Sequence, residues 1–131
     1  MLPSVMNLPS VGQVILRATY THLDTQIQSL TKLDNSIHFI ARLAWEGDQV
    51  RPIQRWIICP VRLEILESIE QGQTSLLDCF LNPDMGRLLS IFMLPSEVLF
   101  NSEIHAWIEP SRLDEALFPR AGSLHAPIFQ S

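Results

Sequence analysis

The stretch that decides the fold reads Ile37-His38-Phe39-Ile40-Ala41-Arg42-Leu43-Ala44-Trp45. Successive side chains of a β-strand point to opposite faces of the sheet, and every odd-numbered residue of this stretch is apolar. We therefore predict a strand with one apolar face, made of Ile37, Phe39, Ala41, Leu43 and Trp45. Its other face is mixed, as expected for a partly covered sheet, and carries His38, Ile40, Arg42 and Ala44.

A second run of strand length follows a turn at residues 46–48 and spans residues 53–61. It is rich in β-branched and aromatic residues, which fit a pleated surface. Neither of its faces is cleanly polar. The pattern leaves open whether the core lies against Ile53, Arg55, Ile57 and Cys59 or against Gln54, Trp56 and Ile58.

Two further strands are predicted upstream of this hairpin. Residues 13–20 are rich in apolar and β-branched residues, and residues 25–33 fit either a strand or a helix. We favour the strand, because the turn formed by residues 34–36 then closes a hairpin into Ile37. Residues 1–12 contain two prolines and are expected to form a loose lead-in. The result is a four-strand antiparallel meander over residues 13–61.

The period of the pattern changes after Pro60. Leu63, Leu66 and Ile69 form a helical stripe that predicts a helix over residues 62–71. A Ser75/Asp78 capping pattern predicts a second, shorter helix that ends near residue 81.

Apolar runs over residues 87–94 and 102–108 predict one or two further strands, and residues 119–131 are expected to be a weakly ordered tail. The predicted fold class is α+β: an antiparallel β-meander followed by two short helices and these strands, in a single domain over residues 1–131.

The composition points away from several functional classes. Charged residues make up 18% of the 131 residues and hydrophobic residues 47%. About 25% charged is usual, so either the core is large or apolar surface is kept for a partner. A net charge of −5 without a basic run argues against binding to a nucleic-acid backbone. No apolar run approaches the ~20 residues of a membrane span, and the N-terminus lacks a signal-peptide pattern. We therefore expect a cytoplasmic protein without membrane contact.

No motif that carries chemistry is present in the sequence. The four histidines are scattered, without the spacing of a zinc site, and no glycine-rich phosphate loop occurs. We therefore predict no catalytic, metal-binding or cofactor-binding residue, and a protein that is not an enzyme. Cys59 and Cys79 are expected to be free, buried thiols, since cysteine behaves as a small hydrophobe.

Several side chains are candidates for binding a partner. Glu64 and Glu67 share a helix face, which is either a negative strip for a basic partner or an ordinary solvated face. Trp107 lies in a polar context and is of the type that anchors interfaces, although core packing also fits it. Arg51, Arg55 and Trp56 together resemble a stacking and cationic patch for single-stranded nucleic acid, although Trp56 also fits packing within the sheet.

Three functional hypotheses follow. The first is a non-enzymatic protein-interaction module, either an accessory subunit or a homodimer, because charge is low and chemistry is absent. The alternative is a small-ligand-binding or enzymatic domain with a site on the sheet face, built from His38, Arg42 and Arg55. The third is nucleic-acid binding, which the negative charge disfavours.

Residues 12–80 resemble a family of small uncharacterised bacterial proteins that share a domain of unknown function. The matching features are Gly12-Gln13-Val14, residues 20–24, the strand at residues 56–60, Leu66, and Gly72-Gln73-Thr74-Ser75-Leu76-Leu77-Asp78. Where that family commonly has Asp-Pro, this chain has Asp24-Thr25. The resemblance implies a small α+β accessory protein and supplies no catalytic residues.

Overall fold

The computed structural model describes residues 2, 4–8, 10–20, 26–47, 50, 53–93, 105–112 and 128–129. Within them the chain forms strands, two α-helices and a 3₁₀ turn. In chain order these are β1 (Val5–Leu8), β2 (Gly12–Tyr20), β3 (Ile27–Lys32), β4 (His38–Glu46), β5 (Gln54–Val61), α1 (Leu63–Glu70), α2 (Leu76–Leu81), β6 (Leu88–Met93), β7 (His105–Ile108), the 3₁₀ turn (Pro110–Arg112) and β8 (Ile128–Phe129).

The strands form one antiparallel sheet in the order β1-β2-β3-β4-β5-β6-β7, and β8 pairs with β2. The predicted meander is confirmed as β2 to β5, and the α+β class with two short helices is confirmed with it. Because β3 occupies one edge of β2, the other edge is shared. There β1 pairs with residues 12–15 of β2, and β8 pairs with residues 18 and 19.

Each face of the sheet packs into a different core, and on the helix side this burial covers only part of the face. The first core is built from the strands and Leu2, and includes Phe39, Ala41 and Leu43 of the predicted apolar face of β4 together with Trp56 and Ile58. The Trp45 side chain lies outside the described part of the structure. The sheet is curled. The second core joins the opposite face, including Ile40 and Ile57, to the buried sides of α1 and α2. This result answers the question left open for β5, because each of its faces meets a core.

A β-bulge at Arg17 makes one strand serve both cores. In the pairing of β2 with β3, Leu16 lies opposite Leu30 and Ala18 lies opposite Ser29, so Arg17 has no partner. An extra residue reverses the alternation of the side chains that follow it. Residues 14 and 16 therefore face the first core, whereas residues 18 and 20 face the second.

The helices begin and end close to the predicted positions. In α2 the Ser75 side chain accepts a hydrogen bond from the backbone N–H of Asp78 at 3.0 Å, which confirms the predicted cap. In α1, Leu66 and Ile69 are buried as predicted, but Leu63 is 39% exposed. Leu63 is the first helical residue, so it lies at the edge of the contact between the helix and the sheet.

The two chain ends depart from expectation where they are described. Within the loose lead-in predicted for residues 1–12, Val5–Leu8 form strand β1, and Met6 and Leu8 are buried in the first core. Within the predicted tail, Ile128–Phe129 form β8, and its other residues lie outside the described part. The strand predicted over residues 102–108 is present as β7. Neither described helix is long and apolar enough to cross a membrane.

Candidate functional site

Five side chains form a row across the sheet on the side that carries the helices. The cross-strand pairs are Val5 with Ile15, Ile15 with Thr31, Thr31 with His38, and His38 with Val61. Directly paired residues share one face of an antiparallel sheet. Val61 is 2% exposed in the second core, whereas Ile15 and Val5 are 37% and 50% exposed. The helices therefore cover one end of the row and leave the other end open.

A groove of about 500 Å³ opens beside the covered end of this row. It is lined by residues 35–37 of the β3–β4 turn, by His38, by residues 61–64 at the β5–α1 junction, and by Asp84. The turn is held by the Asp34 carboxylate, which accepts hydrogen bonds from the backbone N–H and the hydroxyl of Ser36. These two bonds lower the pKa of Asp34.

His38 is the titratable group at the floor of the groove. Its Nδ1 lies 3.0 Å from the Thr31 hydroxyl oxygen, and no described residue hydrogen-bonds to its Nε2. Burial, followed by the positive charge of Arg17, lowers the pKa of His38 below its ordinary value of 6.5. The imidazole is therefore neutral at pH 7, and the nitrogen that Thr31 does not engage is the one left for a ligand.

The rim of the groove is acidic. The Arg62 guanidinium lies 3.4 Å from the Asp84 carboxylate, and the Arg62 side chain is 67% exposed. Such an exposed pair contributes little stability, about 0.5 kcal/mol. Glu64 is exposed on the same rim, and no described basic residue forms an ion pair with it. The described lining of the groove thus carries one negative charge without a described ionic partner.

A polar network fixes the far end of α1 to the sheet. Glu70 Oε1 accepts hydrogen bonds from Arg17 Nη1 at 2.5 Å and from the Tyr20 hydroxyl at 2.7 Å. The Ser29 hydroxyl lies 3.2 Å from that of Tyr20. The bulge at Arg17 places this guanidinium under the helix. Burial, foremost, raises the pKa of Tyr20, so the phenol stays protonated and donates its hydrogen bond.

The structure separates the residues predicted to bind a partner. Glu64 lines the groove, and Glu67 is exposed on α1. Trp107 is half-buried against the first core, on the opposite side of the sheet, with the Arg87 guanidinium carbon 4.3 Å from its ring centroid. The two glutamates and Trp107 therefore do not form one surface.

The predicted stacking patch for nucleic acid lacks its aromatic residue. Trp56 is 0% exposed and its indole N–H donates to the side-chain oxygen of Gln54, so it packs within the sheet, which is the other interpretation that the sequence allowed. The sequence did not decide this point because both faces of β5 are equally mixed. Arg55 is half-buried and donates from Nε to the Ser90 hydroxyl at 3.0 Å. Arg51 lies outside the described residues.

The sheet-face site predicted from His38, Arg42 and Arg55 is not assembled as one site. Arg42 is buried, and its guanidinium donates to the backbone carbonyl of Leu43. Only His38 of the three lines the groove. Within the described ranges no three His, Cys, Asp or Glu side chains are placed to hold a metal ion.

The groove residues that sequence reasoning missed, chiefly Arg62 and Asp84, come from separate parts of the chain. The sequence feature that pointed to this region was the predicted turn at residues 34–36, which contributes to the groove. No protein-family model, curated protein or solved structure matches the chain, so its function is inferred from its own geometry.

Proposed function

We propose that this protein is a non-enzymatic protein-interaction module, acting as an accessory subunit or a homodimer. The observation that carries the proposal is the exposure of Val5 and Ile15, paired β-branched residues on the uncovered half of the helix-side face. With Leu33 and Leu63 and the groove between them, they form what we call the docking surface.

The apolar content of the docking surface supports this function. Val5, Ile15, Leu33 and Leu63 are between 37% and 56% exposed. Leu33 follows Thr31 of the row by two residues and precedes the groove residue Asn35 by two, and Leu63 lines the groove directly. Neighbouring apolar side chains that stay in water are typical of a surface that another protein covers.

The charges around the docking surface describe the partner. The exposed acidic residues Asp34, Glu64 and Glu67 lie along its helix and turn sides, and Arg62 is paired with Asp84. Complementary charge speeds association and suppresses wrong partners more than it adds affinity. We expect basic residues on the partner, in contact with Glu64 and Glu67.

The test is analytical ultracentrifugation of the wild type, of Ile15→Glu and of Val50→Glu. Val50 is the matched control, because it is 86% exposed but lies in the β4–β5 turn, at the opposite end of β4 from the groove. A concentration-dependent dimer that only Ile15→Glu dissociates supports the homodimer. A monomer whose partner co-purifies from the native host, and is lost only in Ile15→Glu, supports the accessory subunit. A monomer for which both variants behave like the wild type contradicts the proposal.

A second candidate is small-ligand binding in the groove. It is favoured by the volume of about 500 Å³ and by the neutral imidazole of His38 at the floor. Ligand pockets of this size usually combine apolar walls with a few polar groups. A metabolite screen by thermal shift is the measurement, since a ligand of the folded state raises Tm by mass action. A hit that survives in His38→Gln does not use this site.

A further inference from the structure

The two cysteines of the chain lie side by side between the sheet and α2. Cys59 is in β5 and Cys79 is in α2, and their sulfur atoms are 3.7 Å apart. Both are free and buried, as predicted. The Cys59 thiol also donates a hydrogen bond to the Pro60 carbonyl oxygen, at 3.3 Å. A disulfide requires a sulfur–sulfur distance of about 2.05 Å, so the two sulfur atoms are in van der Waals contact and must move closer to form a bond.

The two thiols differ in their access to solvent. Cys59 is 0% exposed and Cys79 is 5% exposed. Cys79, but not Cys59, lines a crevice of about 170 Å³ beside the groove, together with Thr74, Asp78 and Asn82. This volume is several times the ~30 Å³ that a water molecule occupies. A small oxidant can therefore reach Cys79, while Cys59 lies behind it.

We propose that Cys59 and Cys79 form a peroxide-responsive dithiol, in which Cys79 reacts first and Cys59 then closes a reversible disulfide between β5 and α2. The proposal is independent of the docking surface. It assigns a modification site to a pair of residues that otherwise only fill the second core.

The chemistry proceeds in two balanced steps. The Cys79 thiolate attacks one oxygen of hydrogen peroxide, the O–O bond breaks, and the released hydroxide takes up a proton to become water. The sulfur is thereby oxidised by two electrons to sulfenic acid and the peroxide is reduced. The Cys59 sulfur then attacks the Cys79 sulfur, the S–O bond breaks, and hydroxide leaves as water with the proton of the Cys59 thiol. Two thiols and one peroxide thus give one disulfide and two waters.

The order of the two thiols follows from their surroundings. Burial, foremost, and the neighbouring Cys79 raise the pKa of Cys59, so its thiol stays protonated and is a poor first nucleophile. Its position behind Cys79 suits it to the second step, in which the sulfenic acid is already within contact distance. We expect slow oxidation, since neither thiol is freely exposed.

The experiment treats the reduced full chain with millimolar hydrogen peroxide under native conditions. Samples are quenched with N-ethylmaleimide in denaturant and analysed by intact mass and peptide mapping. The chain has only 2 cysteines, so an internal disulfide is unambiguous. We expect the loss of two hydrogens, a cross-linked pair of peptides, full reversal by dithiothreitol, and a rise in Tm of roughly 10 °C from closing a loop of about 20 residues.

Two variants test the order of reaction. Cys59→Ala should accumulate a sulfenic acid at Cys79 that dimedone traps, whereas Cys79→Ala should leave Cys59 reduced over the same time. The inference is overturned if both thiols of the wild type stay alkylatable, if the products are intermolecular dimers, or if oxidation lowers Tm. A dimedone adduct that forms equally at Cys59 also overturns it, because the two cysteines would then be equally accessible.

Discussion

Removal of the Glu70 carboxylate is the sharpest test of how α1 is held on the sheet. Glu70 accepts hydrogen bonds from Arg17 and from Tyr20, and its side chain is 12% exposed against 20% for Arg17. Hydrogen bonds that involve a charged group contribute about 1.5–3 kcal/mol each. Partial exposure reduces the ionic part of this contribution. We therefore expect Glu70→Ala to lower the free energy of unfolding by about 3 kcal/mol.

Glu67→Ala is the matched control, since Glu67 belongs to the same helix, is exposed, and forms no ion pair with a described residue. Both substitutions gain the same helix propensity, about 0.4 kcal/mol, and both remove a negative charge near the C-terminus of a helix, which is slightly stabilising. These gains cancel in the comparison. The difference between the two variants therefore isolates the network around Glu70.

The measurement is urea unfolding of the three proteins, followed by circular dichroism, with equal m-values as the condition for comparing midpoints. Tyr20→Phe alone and combined with Glu70→Ala completes a double-mutant cycle, in which we expect a coupling of about 1 kcal/mol. If Glu70→Ala and Glu67→Ala differ by less than about 0.5 kcal/mol, the network does not hold the helix, and the role assigned to the bulge at Arg17 is wrong.

Three further predictions concern a cap, a titration and a turn. Ser75→Ala should cost about 1 kcal/mol in urea unfolding, whereas Ser75→Thr, which keeps the hydroxyl oxygen, should restore most of it. Burial, and then the positive charge of Arg17, lower the pKa of His38 in the folded chain. The unfolded chain therefore binds a proton at a higher pH than the folded chain does, so the free energy of unfolding should fall as the pH drops below about 6.5. The step in Tm between about pH 7.5 and about pH 5 should be smaller in His38→Gln, and an unchanged step would contradict the assignment. Gly86 has φ +71°, and no atom lies within 4 Å of a Cβ added there. Gly86→Ala should therefore lower the free energy of unfolding, measured by chemical denaturation, only by the backbone strain of about 1 kcal/mol. An unchanged free energy would show that the turn relaxes.

The strands with the clearest alternation were predicted well. Phe39, Ala41 and Leu43 of the predicted apolar face lie in the first core, because the alternation is regular over this part of β4. Strand β1 was missed because its four residues, flanked by Pro3 and Pro9, give too short a pattern to outweigh two prolines. The exposure of Leu63 was also missed, since a helical stripe does not reveal where the helix leaves the sheet.

The candidate site is the part of the structure that the sequence predicted least well. The groove joins residues 35–38 to residues 61–64 and to Asp84, and only the folded sheet brings these segments together. His38 was singled out from the sequence, but in combination with Arg42 and Arg55, which lie further along the strands. Trp56 is buried because residues of several other strands join it in the first core. These contacts arise only when the sheet is assembled, so they cannot be recognised in the sequence of one segment.

The bulge at Arg17 also restricts how the chain can misfold. A regular strand that slides by two residues against its neighbour keeps every side chain on its original side. In β2 such a slide would move the bulge away from Arg17, so the alternation of side chains would reverse at a different residue. The residues before and after Arg17 belong to opposite cores. Either Leu16 or Ala18 would then be on the wrong side, and the guanidinium would leave its acceptor on α1. The unpaired Arg17 thus fixes the register of β2 against β3, because only one register places the side chains of β2 correctly in both cores.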